Sequence, residues 1–162
     1  MRTIITLLFI VSVALQAGCG QQGHPRPSDL PTLHLVSITV TQEGTPLAGA
    51  SVVLTSKTPQ TYSTASGTTD AAGVVVPRTY GFDGVPAGQY TVSVSKTAIE
   101  GATEQMDGNT PIQVGGKVYQ YVSKEYLESG TTPLSIDVSA KMETTLDVGA
   151  PAHEFIADNV RD

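Results

Sequence analysis

Apolar and polar residues alternate in short runs along most of this chain, and the runs are cut by Gly, Pro, Asn or Asp. From 33 to 40, the positions Leu33, Leu35, Ser37 and Thr39 alternate with His34, Val36, Ile38 and Val40. A period of two predicts a strand. Residues 42–46 form a turn, and residues 51–56 predict a second strand with Val52 and Leu54 on one face. Residues 57–66, rich in Thr and Ser around Tyr62, fit an edge strand or a loop. Asp70 and Gly73 then frame a tight hairpin before Val74, Val75 and Val76. An Asp side chain can bond its own backbone two residues on, and Gly tolerates positive φ. Pro77 ends that strand, residues 84–88 make another turn, and residues 89–96 carry the cleanest alternation: Tyr90, Val92 and Val94 against Thr91, Ser93 and Ser95.

Periodicity weakens after that. Residues 98–116 read as an inserted loop centred on Asp107-Gly108-Asn109-Thr110-Pro111. Residues 118–127 (VYQYVSKEYL) admit a short helix or a strand, because Tyr119, Tyr121 and Tyr126 match neither period. Residues 134–138 and 144–148 predict the last strands, and residues 149–162 form a tail that is either disordered or folds back through Phe155 and Ile156. Short strands, frequent turns and no amphipathic helix predict an all-β, antiparallel β-sandwich. Its expected core is Leu35, Ile38 or Val40, Val52, Leu54, Val75, Tyr90, Val92, Val94, Ile136, Val138 and Leu146.

The N-terminus follows a different logic. Arg2 precedes an apolar stretch from Ile4 to Leu15 broken only by Thr6 and Ser12, and small residues lead into Cys19, the one cysteine in the chain. A charged start, a short apolar core and small residues before a cut describe a secretory signal. The core is too short for a mature membrane helix, which needs about 20 apolar residues. The run Leu15-Gln16-Ala17-Gly18-Cys19 resembles a bacterial lipoprotein signal, with Gln16 where that family usually has leucine. The resemblance implies cleavage before Cys19, lipid attachment to its thiol, and a cell-envelope address: outer membrane or cell surface, with the periplasmic side also open. The alternative is an ordinary cleaved signal with an incidental cysteine. On the first reading residues 1–18 are the signal and 19–32, with prolines at 25, 27 and 31, form a tether. The domain then spans 33–149, and 150–162 is the tail.

Charge narrows the partners. The formal net charge is −6 including Arg2, and there is no basic run, so neither nucleic acid nor anionic lipid has electrostatic support. Beyond Cys19 no thiol remains to build a disulfide framework or a thiolate metal site.

Three motifs in order, Thr45-Pro46-Leu47-Ala48-Gly49-Ala50, Thr69-Asp70-Ala71-Ala72-Gly73 and Gly84-Val85-Pro86-Ala87-Gly88-Gln89-Tyr90-Thr91-Val92, resemble a carboxypeptidase regulatory-like domain. The resemblance covers residues 33–96, with 131–148 as its final strands. It implies a transthyretin-like (prealbumin-like) sandwich of about seven strands and says little about activity.

Catalytic patterns are missing. The metallocarboxypeptidase catalytic domain associated with such modules needs a His-x-x-Glu zinc pair, and none of His24, His34 and His153 has Glu three residues on. The Tyr-Arg-Gly-Ser C-terminus of transthyretin-like hydrolases is replaced by Asn159-Val160-Arg161-Asp162. Asp83-Gly84 and Asp107-Gly108-Asn109 lack the alternating ligands of a calcium loop. The only asparagines, Asn109 and Asn159, lie outside any late strand, which gives an isopeptide cross-link no partner. No metal, cofactor or catalytic residue is therefore assigned. What remains is aromatic: Tyr80, Phe82, Tyr119 and Tyr121 either cap the core or bind a partner. The expected function is a lipid-anchored, non-catalytic structural or protein-binding sandwich, with membrane contact through the lipid. A surface carbohydrate-binding module is the rival, and an enzyme of unassigned type comes third.

Overall fold

The computed structural model describes residues 25–159. The segment expected to be a signal, Cys19 and His24 lie outside that range. The described chain is almost all β, organised as two packed sheets with an arm attached at one side. One sheet has six strands in the order Ser135–Val138, Gly88–Ser95, Ser51–Ser56, Thr64–Thr68, Arg78–Thr79 and Phe82–Asp83, all antiparallel. The other is built on Val36–Gln42, which pairs with Val74–Val75, Thr45–Pro46 and Met142–Asp147. Within these two sheets, seven strands supply apolar side chains to the core.

Alternation explains the packing. On Gly88–Ser95, Tyr90, Val92 and Val94 are fully buried and register with Ser56, Leu54 and Val52 across the ladder. Val36, Ile38 and Val40 point inward from the facing sheet. Burying one such side chain contributes roughly 1.5–3 kcal/mol relative to exposure. Tyr90 brings a hydroxyl into this apolar layer. It donates to the Pro86 carbonyl at 3.0 Å and accepts from Gln60 at 3.2 Å, which removes the cost of an unpaired polar group.

Leu35 departs from the predicted core. The strand is interrupted there, between Leu33–His34 and Val36–Gln42, and Leu35 faces outward, half exposed. Leu146 is only partly buried, and Val36, Leu47, Ala50, Ala65, Val85, Val122 and Val148 complete the core. One pairing is parallel: Met142–Asp147 runs beside Val36–Gln42 from Met142↔Val36 to Asp147↔Thr41.

Turn chemistry behaves as the sequence predicts around Asp70. Its carboxylate accepts from the Ala72 and Val74 amides, both at 2.9 Å. Gly73 has φ +75 and passes so close to the facing strand that a Cβ would lie 2.7 Å from the Val40 carbonyl oxygen and 3.0 Å from the Leu47 nitrogen. The buried Thr69 hydroxyl donates to the Leu47 carbonyl and accepts the Ala50 amide. It therefore ties the segment between the first two long strands to the hairpin.

Residues 98–116 form strands where the sequence predicted a loop. Thr97–Glu100 pairs with Lys117–Gln120, and Thr103–Asp107 pairs with Thr110–Val114 around a two-residue turn opened by Gly108 at φ 60. The signal was hidden because a ribbon solvated on both faces needs no alternation. Residues 118–127 resolve into the end of Lys117–Gln120 followed by a 3-10 turn at Lys124–Tyr126, and the tail returns as Glu154–Asp158 against Lys117–Gln120. The result is a three-stranded arm extended by a hairpin.

Candidate functional site

Two groups of exposed apolar side chains stand out. Leu35, Val76 and Tyr80 lie on the sandwich, and Ile99, Met106, Phe155 and Ile156 lie on the arm. The four aromatic residues singled out from sequence divide the same way, and among the described residues no ring contact joins the pairs.

Tyr80 and Phe82 belong to the first group. Tyr80-Gly81 is the two-residue loop between Arg78–Thr79 and Phe82–Asp83, with φ 51 and 84. Positive φ at both central positions matches the right-handed twist of a hairpin, and it holds the Tyr80 ring out at 60% exposure. Tyr62 meets that ring edge-on at 6.0 Å, and its hydroxyl donates to Asp29 at 2.8 Å. That bond, made to a carboxylate, raises the Tyr62 pKa above its ordinary value. The Arg26 guanidinium lies 5.5 Å from the Phe82 ring centre, Arg78 pairs with Asp83 at 2.9 Å, and Leu30 is buried. Within the expected tether, residues 19–32, the described part contacts the sandwich through Arg26 and Asp29, and Leu30 is buried.

Tyr119 and Tyr121 occupy the arm. Tyr119 lies on Lys117–Gln120 and Tyr121 follows just past its end, and both rings meet His153, with Phe155 from the returning tail beside Tyr119. His153 stacks on Tyr119 with ring centres 4.1 Å apart and planes at 11°, and it meets Tyr121 at 5.5 Å and 67°. Phe155 approaches Tyr119 edge-on at 6.1 Å, and Lys117 lies 5.7 Å from the Phe155 ring centre. Glu100 accepts from the Tyr121 hydroxyl and sits 3.1 Å from His153 Nε2. The Tyr121 hydroxyl, then His153, holds the Glu100 carboxyl below its ordinary pKa, and the same bond pushes Tyr121 upward. His153 and Phe155 were missed as partners because only the pairing of a distant tail brings them here.

The arm is anchored by polar as well as apolar contacts. Val122 is fully buried in the core, the Tyr121 amide donates to the Lys96 carbonyl at 2.8 Å, and Gln42 donates to the Tyr121 carbonyl at 2.8 Å. Buried Gln120 accepts from the Lys96 and Tyr121 amides. Gln120, Lys124, Leu127, Glu154, Phe155 and Ile156 line a shallow depression, with Lys124 and Glu154 paired at 3.1 Å.

Among the described residues, no three or more His, Cys, Asp or Glu side chains converge as metal ligands, and no helix is long and apolar enough to cross a membrane. The most constrained carboxylate, Asp147, accepts from the Gly44 amide at 2.9 Å, the Thr41 hydroxyl at 2.7 Å and the Gly149 amide at 2.8 Å. These donors, the Gly44 amide first, lower its pKa and fix the last long strand to a neighbouring turn.

No protein-family profile matches the chain, and no curated protein matches it. Among solved structures, the chain is similar to the crystal structure of a variant of BcpA, the major pilin subunit of Bacillus cereus, at 16% identity and a TM-score of 0.39. The likeness covers 77% of this chain and 31% of that one.

Proposed function

We propose that this is a lipid-anchored protein of the cell envelope whose sandwich is a non-catalytic scaffold for binding a protein partner through its arm. One observation carries the reading: from Thr97 to Gln120 the chain forms paired strands, yet Gln120 is the only buried residue among them. An ordered ribbon that contributes almost nothing to the core presents backbone and side chains to solvent, as recognition elements on rigid scaffolds do. Ile99, Met106, Phe155 and Ile156 give it an apolar surface. The Tyr119 ring already makes contacts with His153 and Phe155, which favours a protein partner over a sugar needing an open ring face.

The test removes residues 102–115 and rejoins the ribbon with a short turn. The expected result is an unchanged urea midpoint, because no core residue is lost, together with lost capture of any partner cross-linked to the intact protein in the envelope. Undiminished capture refutes the arm as the binding element. Retention of polysaccharide by the intact protein, lost in the variant, replaces the protein partner with a glycan.

A further inference from the structure

The corner carrying Tyr80 holds a feature the arm does not explain. Exposed Tyr80 is at the tip of a hairpin, and exposed Leu35 and Val76 adjoin the residues at its base. The Tyr80 hairpin has its base at Pro77 and Gly84, joined by a 2.9 Å amide-to-carbonyl bond. Gly84 passes so near His34 that a Cβ would lie 2.8 Å from its carbonyl oxygen. Leu35 follows His34 and Val76 precedes Pro77, so both flank this base, 50% and 42% exposed. Arg26 at the Phe82 ring and the Asp29–Tyr62 hydrogen bond fix the first described residues to the same corner.

Chain length then limits where this corner can be. Between Cys19 and Pro25 there are six Cα–Cα steps, which span at most about 20–22 Å when fully extended. If acyl chains hold Cys19 at a bilayer surface, Pro25 stays within that reach of it, and the contacts of Arg26 with Phe82 and of Asp29 with Tyr62 keep the Tyr80 hairpin next to that point. The charges around the Tyr80 hairpin balance, Arg26 and Arg78 against Asp29 and Asp83, and Lys141 lies beside Leu35. A zwitterionic headgroup layer suits such a surface, and aromatic residues with a polar end favour the water–lipid interface.

We infer that the Tyr80 corner, with Leu35 and Val76, rests on the lipid surface to which the chain is anchored, fixing the orientation of the sandwich and turning the arm away from the membrane. This rests on the lipid-anchor reading. It assigns Tyr80 to lipid contact in place of partner binding.

The sequence contains no Trp, so single-Trp variants report locally. The full lipidated chain is reconstituted into phosphatidylcholine vesicles with ordinary or brominated acyl chains, carrying Tyr80→Trp, Leu35→Trp or, on the arm, Met106→Trp. Leu35→Trp keeps the test decisive if the Tyr80 turn does not tolerate indole. The expected result is blue-shifted emission quenched by brominated lipid at 80 and 35, with water-like, unquenched emission at 106. Protein that sediments with vesicles but shows water-like emission at both corner positions overturns the inference and leaves the anchor standing. Protein that does not sediment, and behaves as its Cys19→Ser variant does, overturns both. Blue-shifted emission without lipid that depends on protein concentration assigns the corner to a second copy of the chain and also overturns it.

Discussion

Val92→Asp tests the sandwich most directly. Val92 is fully buried and lies opposite Leu54. Losing its methyl groups from the core costs about 1.5–2 kcal/mol at roughly 0.8 kcal/mol per buried carbon. The new carboxyl has no partner in that layer and must stay neutral. An aspartate ionises near pH 3.9 in the unfolded chain, so holding it protonated at pH 7 costs about 4 kcal/mol at 1.36 kcal/mol per unit. Burying the neutral acid without a hydrogen bond adds roughly 1–3 kcal/mol. The sum, about 7–9 kcal/mol, rivals the whole stability of an ordinary domain, about 5–15 kcal/mol. With a urea slope of about 2 kcal/mol per molar, the midpoint falls by about 4 M or the protein does not fold at neutral pH. The sign of the pH dependence follows. The folded state keeps a proton that the unfolded state releases above about pH 3.9, so the variant recovers stability as pH falls toward 4. Thr91→Asp sits on the opposite, half-buried face, where the threonine hydroxyl makes only a 3.4 Å contact with the Thr55 carbonyl. Its cost stays within about 1 kcal/mol. Far-UV circular dichroism against urea at pH 7 and pH 4 reads both variants. Equal midpoint shifts, or no acid recovery for Val92→Asp, refute the assigned register.

Further outcomes follow from the turns, the arm and the anchor. Gly73→Ala forces a Cβ against the Val40 carbonyl at positive φ and lowers stability by roughly 2–4 kcal/mol in the same assay; Ala72→Gly, at the preceding, exposed position, stays near the wild type. The Glu100 carboxyl is depressed by Tyr121 and His153, so its contribution to holding the tail is present at neutral pH and lost as pH falls below the ordinary carboxylate range. Amide-exchange protection at Glu154–Asp158, corrected for intrinsic rates, therefore falls with acid in the wild type and is low and flat in Glu100→Gln. Tyr119→Ala with Tyr121→Ala lowers protection in that strand while leaving the urea midpoint within about 1 kcal/mol of wild type, because neither ring is part of the buried core. Cys19→Ser releases the protein from membranes and abolishes palmitate labelling.

The sandwich was legible wherever one face of a strand is buried and the other wet. Residues 89–96 announce themselves because Tyr90, Val92 and Val94 alternate with Thr91, Ser93 and Ser95, and 51–56 places Val52 and Leu54 on one face with Val53 between them. Leu35 misled because alternation alone cannot see a break in a strand, and that break turns Leu35 out while Val36 turns in. The arm was illegible for the opposite reason. With both faces of Thr103–Asp107 solvated, its residues carry no period, and only backbone pairing defines it. The four aromatic candidates could be named from sequence, but their grouping could not. His153 reaches Tyr119 across 34 positions of chain, and Arg26 reaches Phe82 across 56.

The parallel pairing of Val36–Gln42 with Met142–Asp147 has a mechanical consequence. The chain enters this pair of strands at the Val36 end and leaves toward the arm at the Asp147 end, and in this register those ends are opposite. Tension applied between the N-terminal side of Val36–Gln42 and the returning tail therefore pulls the two strands past each other along their length. Their ladder bonds are loaded together in shear and do not peel open one at a time. The sandwich is closed by the very pair of strands through which such a force would pass.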